Sequence, residues 1–565
     1  MTLRYARATS MALVALMVLV VSVAPVLGAQ QGAAASTAAP STAAPQTTAL
    51  MATALDLGGG LVANGEAERY LRVLQLLGVV PQHPVGIRPW TRHELRALTP
   101  TAEHPWAARF ARPDSGAWRA RFVLLRPGAR VTWNSSAVEG NDPIWFGRGA
   151  TVDASAGVRF TLGPLDVQLA PTVSWTQNQA FDLAPNGMTG AGALRDARFP
   201  GNIDAPQRFG TVAFTRVDAG NSRVAVDTRF VSMGFSTEPL AWGPARDEPL
   251  VVGPNGGGFT HFFLGTGEPL PVGVGHVHLK MLAGRLEQSQ WSPEQSGDRS
   301  RFGSGLVVTF VPKGVRGLEM GAVRFEHRTW SPGTATVRNA LRPFTGIFSD
   351  QTNSVNGAEN GYAAAFARWA VAPAGFEVYG EYGREDYAGN SRWLLLKPDD
   401  LGNLLLGVQR VMRRAGGGLR VVRVELVNAE LSSNERGQRG FGVPLPPYLH
   451  FGGVLQGHTV NGRFLGSATA YGGAGWRVAT DAYTTRGRRS VVVERALLRD
   501  WLPVAATAAG RSPEVRYTVR AEWLRFGARA QELGGTAGVS YTLNRNTVTR
   551  DDMVNLQIGV RWRGW

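Results

Sequence analysis

Apolar and polar residues alternate along most of the chain, in segments separated by Gly, Pro, Asn and Asp. The C-terminal stretch 554–565, VNLQIGVRWRGW, shows the pattern most regularly. Its apolar positions are Val554, Leu556, Ile558, Val560 and Trp562. Successive side chains of a strand point to opposite faces, so this stretch has one apolar and one polar face. The pattern fits the closing strand of an outer-membrane β-barrel, and it also fits the last strand of a soluble β-sandwich.

The end of this stretch departs from the pattern. Trp565 is out of phase with Trp562, because Arg563 and Gly564 separate them. A regular closing strand places its terminal aromatic residue on the apolar face. We therefore expect either a short overhang after Trp562 or a β-bulge near Gly564 that restores the register.

Similar alternating segments follow one another from about residue 129 to the C-terminus. Clear examples are 376–385, 419–428, 475–483 and 516–526. Marking every such segment gives about 18 strands, many of them near the ~10 residues that a transmembrane β-strand needs. The polar faces carry charges of both signs, as in a water-filled lumen, and Trp and Tyr often lie near strand ends. These features favour the barrel over the sandwich.

We therefore predict an all-β transmembrane fold, an antiparallel outer-membrane β-barrel of about 18 strands, preceded by a small α-helical module. The barrel is assigned to 118–565. Long connections are expected at 176–206, 234–275, 329–361 and 428–457. Long loops of such barrels face the cell exterior, and short turns face the periplasm.

The helical module is assigned to 54–117, where the apolar period changes. Ala67, Tyr70, Leu71, Leu74 and Leu77 recur at helical spacing, and a glycine follows. Thr91 and Glu94 form a capping-box pattern that predicts a second short helix. Pro105 is a candidate start for a third helix that ends before Pro113. Trp90 and Tyr70 are expected to pack in the core of this module.

The N-terminal segment has the composition of an export signal. Arg4 and Arg7 precede the nearly unbroken apolar run 11–24, and small residues follow at 28–29. This pattern predicts a secretory signal peptide over 1–29. Residues 30–53 are rich in Ala, Ser, Thr, Pro and Gln without charge, and we interpret them as a flexible lead-in.

Composition limits the possible chemistry. The chain has no cysteine, which excludes disulfides, thiolate metal sites, Cys nucleophiles and a lipid anchor on an N-terminal Cys. The formal net charge is +16, and only three of the 59 cationic residues are lysine. For an exported protein, surplus positive charge indicates an anionic glycan or lipopolysaccharide as partner. The sequence contains no nucleic-acid-binding motif.

Candidate catalytic motifs are incomplete. Gly303-Ser304-Gly305 lacks the spacing of a nucleophile elbow, and the glycine run 256–258 lacks the Lys-Ser/Thr of a P-loop. Glu381 and Glu385 share a strand face, where we expect salt bridges with Arg384 or Arg368 rather than paired-carboxylate catalysis. His276 and His278 also share a face but have no evident third ligand, so we expect no metal site.

The stretch 237–264 is the densest in residues suited to ligand contact. Its candidate binding residues are Trp242, Arg246, Asp247, Glu248, Phe259 and His261. Aromatic faces stack on sugar rings, and arginine binds carboxylates through two hydrogen bonds, as on uronic or sialic acids. The stretch therefore fits a saccharide-binding loop. It equally fits a plug that folds into the barrel, in which the same residues satisfy one another.

The sequence resembles the Wzi family of outer-membrane capsule assembly proteins. The resemblance rests on the order of parts and on the stretches 70–96, 240–254 (LAWGPARDEPLVVGP) and 375–386 (GFEVYGEYGRED). It implies a barrel with the helical module at its periplasmic end. It also implies a role in holding capsular polysaccharide or exopolysaccharide at the outer surface by lectin-like binding, without a reaction and without catalytic residues.

The predicted function is accordingly a non-enzymatic, outer-membrane protein that anchors polysaccharide. The alternative is a porin-like channel for saccharides or small solutes, which the polar strand faces also support. The expected partners are capsular polysaccharide or another anionic glycan, outer-membrane lipid and lipopolysaccharide. We expect no cofactor, no metal, no nucleic acid and a monomer.

Overall fold

The computed structural model describes most of the chain from residue 65 onward. The described residues are 65–98, 100, 102–109, 120–136, 141–294, 300–331, 333–345, 359–385, 391–432, 446–449, 454–499, 510–527 and 531–564. The predicted signal peptide (1–29) and lead-in (30–53) lie outside these residues, as does Trp565.

Alternating strands build a closed antiparallel barrel of 18 strands, which confirms the predicted fold class. Three of the strands are interrupted and consist of two segments each. The strands are β1 Arg121–Asn134, β2 Gly149–Leu162, β3 Leu165–Leu169 with Thr172–Thr176, β4 Phe214–Asp218 with Arg223–Asp227, β5 Ser232–Ser236, β6 His261–Gly265 with Leu270–Pro271, β7 Gly275–Glu287, β8 Ser300–Pro312, β9 Leu318–Thr329, β10 Glu359–Val371, β11 Phe376–Glu385, β12 Gly402–Arg413, β13 Leu419–Asn428, β14 Ala474–Thr484, β15 Gly487–Arg499, β16 Glu514–Phe526, β17 Glu532–Leu543 and β18 Met553–Arg563.

The last strand closes the barrel. β18 pairs with β17 on one side and with β1 on the other, and Val560 lies opposite Val131 of β1. The pairing with β17 is regular from Met553 to Arg563, so no bulge interrupts it before Gly564. Closure leaves no unpaired sheet edge, which a strand in a bilayer requires.

The outer surface of the wall is apolar. In β18, Ile558 is 59% exposed and Trp562 is 40% exposed, while Asn555 on the opposite face is buried in the lumen. The predicted phase of the C-terminal strand is therefore confirmed. An apolar outer belt around a closed sheet is the surface that meets lipid, so the barrel resides in an outer membrane. Among the described residues, no helix combines the length and hydrophobicity needed to span a bilayer.

The two ends of the barrel differ in their connections. At one end, short turns such as 372–375 and 485–486 join the strands, and β1 begins and β18 ends there. We call this the short-turn end. The opposite, long-loop end carries the extended connections, including those between β3 and β4 and between β13 and β14.

The predicted connection 234–275 is wrong in extent. It contains the end of β5 and all of β6, which pairs with β5 and β7. Gly and Pro are frequent in this stretch, so the alternation around Phe262 and Leu264 spans too few residues to predict a strand. The true connection, 237–260, folds into the lumen, and we call it the luminal segment.

Short helices and two short strand pairs lie outside the barrel sheet. The helices are α1 Glu66–Leu76, α2 Arg92–Ala97, α3 Val337–Ala340, α4 Arg342–Thr345 and α5 Ser391–Leu396. Two antiparallel strand pairs lie apart from the barrel sheet, Ile87–Arg88 with Ala241–Trp242 and Thr459–Val460 with Arg463–Phe464. Where a third helix was predicted from Pro105, the structure has a 3-10 turn at Ala107–Arg109.

The helical module packs at the short-turn end. Its first helix was predicted by apolar spacing, and its second helix has the predicted capping box between Thr91 and Glu94. The Tyr70 ring lies 5.1 Å from that of Tyr483, at the end of β14. Short turns of such barrels face the periplasm, so a periplasmic position of the module stays a prediction.

Candidate functional site

The luminal segment is fixed to the barrel through apolar contacts at one end. Trp242 is 1% exposed, lies opposite Ile87 in a short antiparallel strand pair, and donates its backbone N–H to Val252 O at 3.0 Å. Its ring lies against Gly305 of β8, where an added Cβ would come within 2.7 Å of the ring. Glycine at 305 therefore makes room for the indole.

Carboxylates on the barrel wall bind the backbone of this segment. Glu425 of β13 accepts hydrogen bonds from the backbone N–H of Arg246 (2.6 Å), Asp247 (2.9 Å) and Glu248 (3.1 Å). Glu381 of β11 accepts from the backbone of Ala245 at 2.8 Å. Backbone donors that leave water need such partners, so these carboxylates stabilise the inward course of the segment.

A wall carboxylate binds the backbone of the helical module in the same way. Glu319 of β9 accepts hydrogen bonds from the backbone N–H of Val85 (2.9 Å) and Gly86 (2.7 Å). Arg88 joins the module to the luminal segment, because it pairs with Glu68 at 2.9 Å and donates to Gly243 O at 2.8 Å. The two inward-folded parts of the chain therefore support each other.

The expected partners of Glu381 and Glu385 are wrong. Both side chains are buried on the luminal face, but Glu381 binds backbone amides, and Glu385 accepts from Asn360 at 3.0 Å and from the Tyr448 backbone at 2.7 Å. Arg368 instead pairs with Glu377 at 2.7 Å. Strand phase predicts which face a carboxylate occupies, but its partner belongs to segments distant in sequence.

Asp247 is surrounded by arginines. It is in contact with Arg423, and it lies 3.3 Å from Arg477 and 3.5 Å from Arg69. Burial alone would raise the pKa of this carboxyl, but the three guanidinium groups outweigh burial and hold its pKa well below the usual range. Asp247 is therefore ionised and fixed in place.

Glu248, the next residue, has the opposite electrostatic character. It accepts a hydrogen bond from Asn141 at 2.8 Å and contacts the Ser467 hydroxyl, with Arg477 at 3.5 Å. Burial raises its pKa to about 7, and the nearby Glu494 adds to the shift. Adjacent carboxyls of the luminal segment thus differ in protonation near neutral pH.

A cavity of about 320 Å³ remains between the luminal segment and the wall formed by β1 and β13–β18. Nine arginines and five carboxylates line it, together with neutral polar groups of the strands. The arginines are Arg69, Arg130, Arg246, Arg423, Arg463, Arg477, Arg516, Arg520 and Arg561. Positive charge is therefore in excess along this cavity.

The structure divides the six predicted binding residues into two groups. Arg246, Asp247 and Glu248 line the cavity. Trp242, Phe259 and His261 are buried among apolar side chains, and His261 hydrogen-bonds Phe259 O at 2.7 Å. A stacking role for these three rings requires the luminal segment and the start of β6 to move, and their contact with a saccharide stays a prediction.

Sequence reasoning missed the wall residues that complete this site. Arg423, Glu425 and Arg477 were evident only as polar positions of alternating strands. In the structure, Glu425 lies opposite Arg477 in the pairing of β13 with β14, across the long connection 429–473. The sequence pattern that would predict them is a pair of oppositely charged residues at opposing positions of two neighbouring strands.

The histidine pair of β7 does not form a cluster with a third ligand in the described structure. His276 is exposed, whereas His278 is buried 3.4 Å from Glu94 of the helical module. Over the residues that can be described, no group of three or more His, Asp or Glu side chains is arranged to hold a metal ion.

Comparison with known proteins gives structural matches only. No family model and no curated protein matches the sequence. The structure is similar to that of Wzi, an outer membrane protein involved in group 1 capsule assembly in Escherichia coli and a carbohydrate-binding β-barrel. That match has 15% identity and a TM-score of 0.59, and it covers 89% of this chain and 99% of Wzi.

A weaker match is to a BenF-like porin from Pseudomonas fluorescens, with 10% identity, a TM-score of 0.34, and coverage of 79% of this chain and 98% of the porin. At that score the similarity carries no argument. The match to Wzi covers most of this chain and nearly the whole of the other protein. The chain therefore has the fold of a Wzi-like outer-membrane β-barrel.

Proposed function

We propose that this protein binds and anchors capsular polysaccharide or exopolysaccharide at the cell surface, without catalysing a reaction. The observation that carries the proposal is the arginine-lined cavity beside an inward-folded luminal segment. Arginine binds carboxylates through two parallel hydrogen bonds, which suits the uronic or sialic acids of acidic polysaccharides. The fold shared with Wzi, itself a carbohydrate-binding barrel involved in capsule assembly, supports the same function.

Within the site, Arg246, Asp247 and Glu248 are the proposed ligand-facing residues of the luminal segment. Trp242, Phe259 and His261 position that segment from the core, and they contact saccharide only if it shifts. The two groups differ in position, because only Arg246, Asp247 and Glu248 line the cavity. We further propose that the protein acts as a monomer in contact with outer-membrane lipid and lipopolysaccharide.

A porin-like channel is the second candidate function. The cavity extends along β16–β18 from Ser540 and Asn555, toward the long-loop end, to Glu522 and Arg561, toward the short-turn end. Widening of this space would create a path for small anionic solutes. The wall carboxylates oppose widening, because they fix the luminal segment at several backbone amides.

Binding of defined acidic polysaccharides tests the proposed function. The protein in lipid nanodiscs is expected to bind alginate or polysialic acid, more weakly as salt rises, and to show no binding of neutral dextran. Arg130→Gln/Arg520→Gln, which removes two half-buried charges from the cavity, should weaken binding at least tenfold.

The matched control is Arg285→Gln, which changes an outward-facing arginine that is 47% exposed and pairs with Glu287. This control should bind like the parent. Failure of the parent to bind either acidic polysaccharide, or equal binding by the cavity variant and the control, would show that the cavity is not the polysaccharide site.

A further inference from the structure

Seven arginines form a cluster on one side of the short-turn end, and we call it the basic patch. Its members are Arg410, Arg413, Arg414, Arg420, Arg486, Arg489 and Arg525. All seven are exposed. They lie at the ends of β12, β13, β15 and β16 and in the turns between them.

Four of these arginines point away from the lumen, namely Arg410, Arg420, Arg489 and Arg525. Arg489 is in phase with Val491 and Val493 on the outer face of β15, and Arg525 is in phase with Trp523 on β16. Arg420 and Arg489 both lie opposite Ala482 of β14, one from each side. Neighbouring strands are about 4.8 Å apart, so the backbones that carry these two side chains are about 10 Å apart. Both guanidinium groups lie on the same outer surface.

Along the barrel axis, these outward-facing arginines lie at the level of a membrane interface. Arg489 lies directly opposite Trp523, which is 40% exposed on the outer face. Trp residues of outer-membrane barrels sit at the level of lipid headgroups, with the apolar belt beyond them. Arg525 is two residues nearer the turn than Trp523, on the aqueous side of that level. The patch is thus placed to reach lipid phosphates.

The described part of this surface carries no carboxylate. On the described outward faces of β11–β17 and in the described parts of their short turns, there is no Asp or Glu. The opposite side of the same end differs. There Arg229 pairs with Glu268 at 2.6 Å, and the turn residues Phe230 and Val274 are 63% and 74% exposed.

We propose that the basic patch binds anionic phospholipid headgroups in the leaflet that meets the short-turn end, which is the periplasmic leaflet of an outer membrane. Guanidinium groups bind phosphate through paired hydrogen bonds, and the neighbouring apolar belt accommodates the acyl chains. Such lipid would bind one sector of the barrel and would fix its tilt and depth. The proposal depends on the barrel fold and is independent of polysaccharide binding.

Lipid retention tests the proposal. Parent protein in detergent is equilibrated with equal amounts of phosphatidylglycerol and phosphatidylcholine, and retained lipid is quantified by mass spectrometry after gel filtration. The parent should retain phosphatidylglycerol preferentially. Arg420→Gln/Arg489→Gln should bind it about 25-fold more weakly at low salt, because each arginine near an anionic surface contributes a factor of about five.

Two further variants test whether positive charge at the basic patch is what retains the lipid. Arg420→Lys/Arg489→Lys keeps both charges and should retain most of the phosphatidylglycerol. Arg338→Gln/Arg550→Gln removes two exposed arginines from long loops and should behave like the parent. Equal retention by Arg420→Gln/Arg489→Gln and the parent would overturn the proposal, as would an equal loss in the long-loop variant. If the double variant does not fold, Arg525→Gln alone should still lower retention.

Discussion

The carboxylate of Glu425, on the inner wall of β13, accepts a hydrogen bond of 2.6 Å from the backbone N–H of Arg246. Arg246 belongs to the luminal segment, which enters the barrel from the long-loop end between β5 and β6. The same carboxylate also accepts from the Tyr379 hydroxyl at 2.6 Å. One wall residue therefore joins the segment to two strands, and the lumen is narrowed by specific hydrogen bonds.

Replacing Glu425 with Ala should release the luminal segment. The change leaves the backbone N–H groups of Arg246, Asp247 and Glu248 without their acceptor, and an unsatisfied buried group costs about 1–3 kcal/mol. Arg246 is 2% exposed in the folded protein, so trypsin should cleave after it in Glu425→Ala much faster than in the parent. Mass spectrometry of the fragments would detect that cleavage.

The control for this experiment is Glu268→Gln, which removes the charge of a carboxylate at the short-turn end that pairs with the exposed Arg229. It should leave the cleavage pattern unchanged. Resistance of the Arg246 bond in folded Glu425→Ala would mean that the apolar contacts around Trp242 suffice to hold the segment.

Protonation of Glu248 should make stability depend on pH. Its pKa is about 7 in the folded protein, raised mainly by burial from an ordinary value near 4.5. Between these values the folded state binds a proton that the unfolded state lacks, so the free energy of unfolding falls as pH rises. The full decrease is about 3 kcal/mol and is complete above about pH 7.

Glu248→Gln should remove this contribution, because the amide stays neutral at every pH. Urea unfolding in detergent between pH 4.5 and 8 would measure it. As pH rises toward 8, the free energy of unfolding of Glu248→Gln should increase relative to that of the parent. Glu287→Gln, a change at an exposed position, should show the same pH dependence as the parent. A variant that loses stability toward pH 8 would show that ionised Glu248, paired with Arg477, is the stabilising form.

Charge placed on the two faces of β18 should have opposite consequences for insertion. Ile558 is 59% exposed on the outer belt, whereas Gln557 lines the luminal cavity. Arginine at a lipid-facing position costs about 2–4 kcal/mol near the bilayer midplane. Ile558→Arg should therefore lower the yield of folded protein in liposomes, measured by the shift in migration between heated and unheated samples.

Gln557→Arg is the matched control, since it introduces the same side chain one residue away into the polar cavity. It should fold with a yield near that of the parent. Equal impairment by both variants would indicate that arginine disrupts β18 for a reason other than contact with lipid.

The local alternation of apolar and polar residues predicts much of the barrel wall. It predicts little of the chain segments that fill the lumen. The phase of β18 follows from its own alternating residues, and the helix after Thr91 follows from its capping box, because both depend on neighbours in sequence. β6 was missed because its alternation is short and lies among glycines and prolines. The sequence pattern of 237–264 was consistent with a saccharide-binding loop and with a plug.

The site required long-range information. Asp247 meets Arg423 and Arg477 only when β13 and β14 are paired and the luminal segment is folded inward. The environment of Gly243 gives a similar lesson. Its φ is +90°, and the Glu381 carboxylate lies where a Cβ would be, so a larger residue would be strained there. The local sequence at these positions shows only a glycine and a charged residue. It does not predict either contact.

Single-channel conductance of the parent protein in planar bilayers tests most directly whether the luminal segment and helical module close this barrel. The inward hydrogen bonds of Glu319, Glu381 and Glu425 predict no steady open-pore current, at most brief openings of small amplitude. A large and steady conductance from the folded parent would contradict the closed, polysaccharide-anchoring barrel and would favour the porin-like channel.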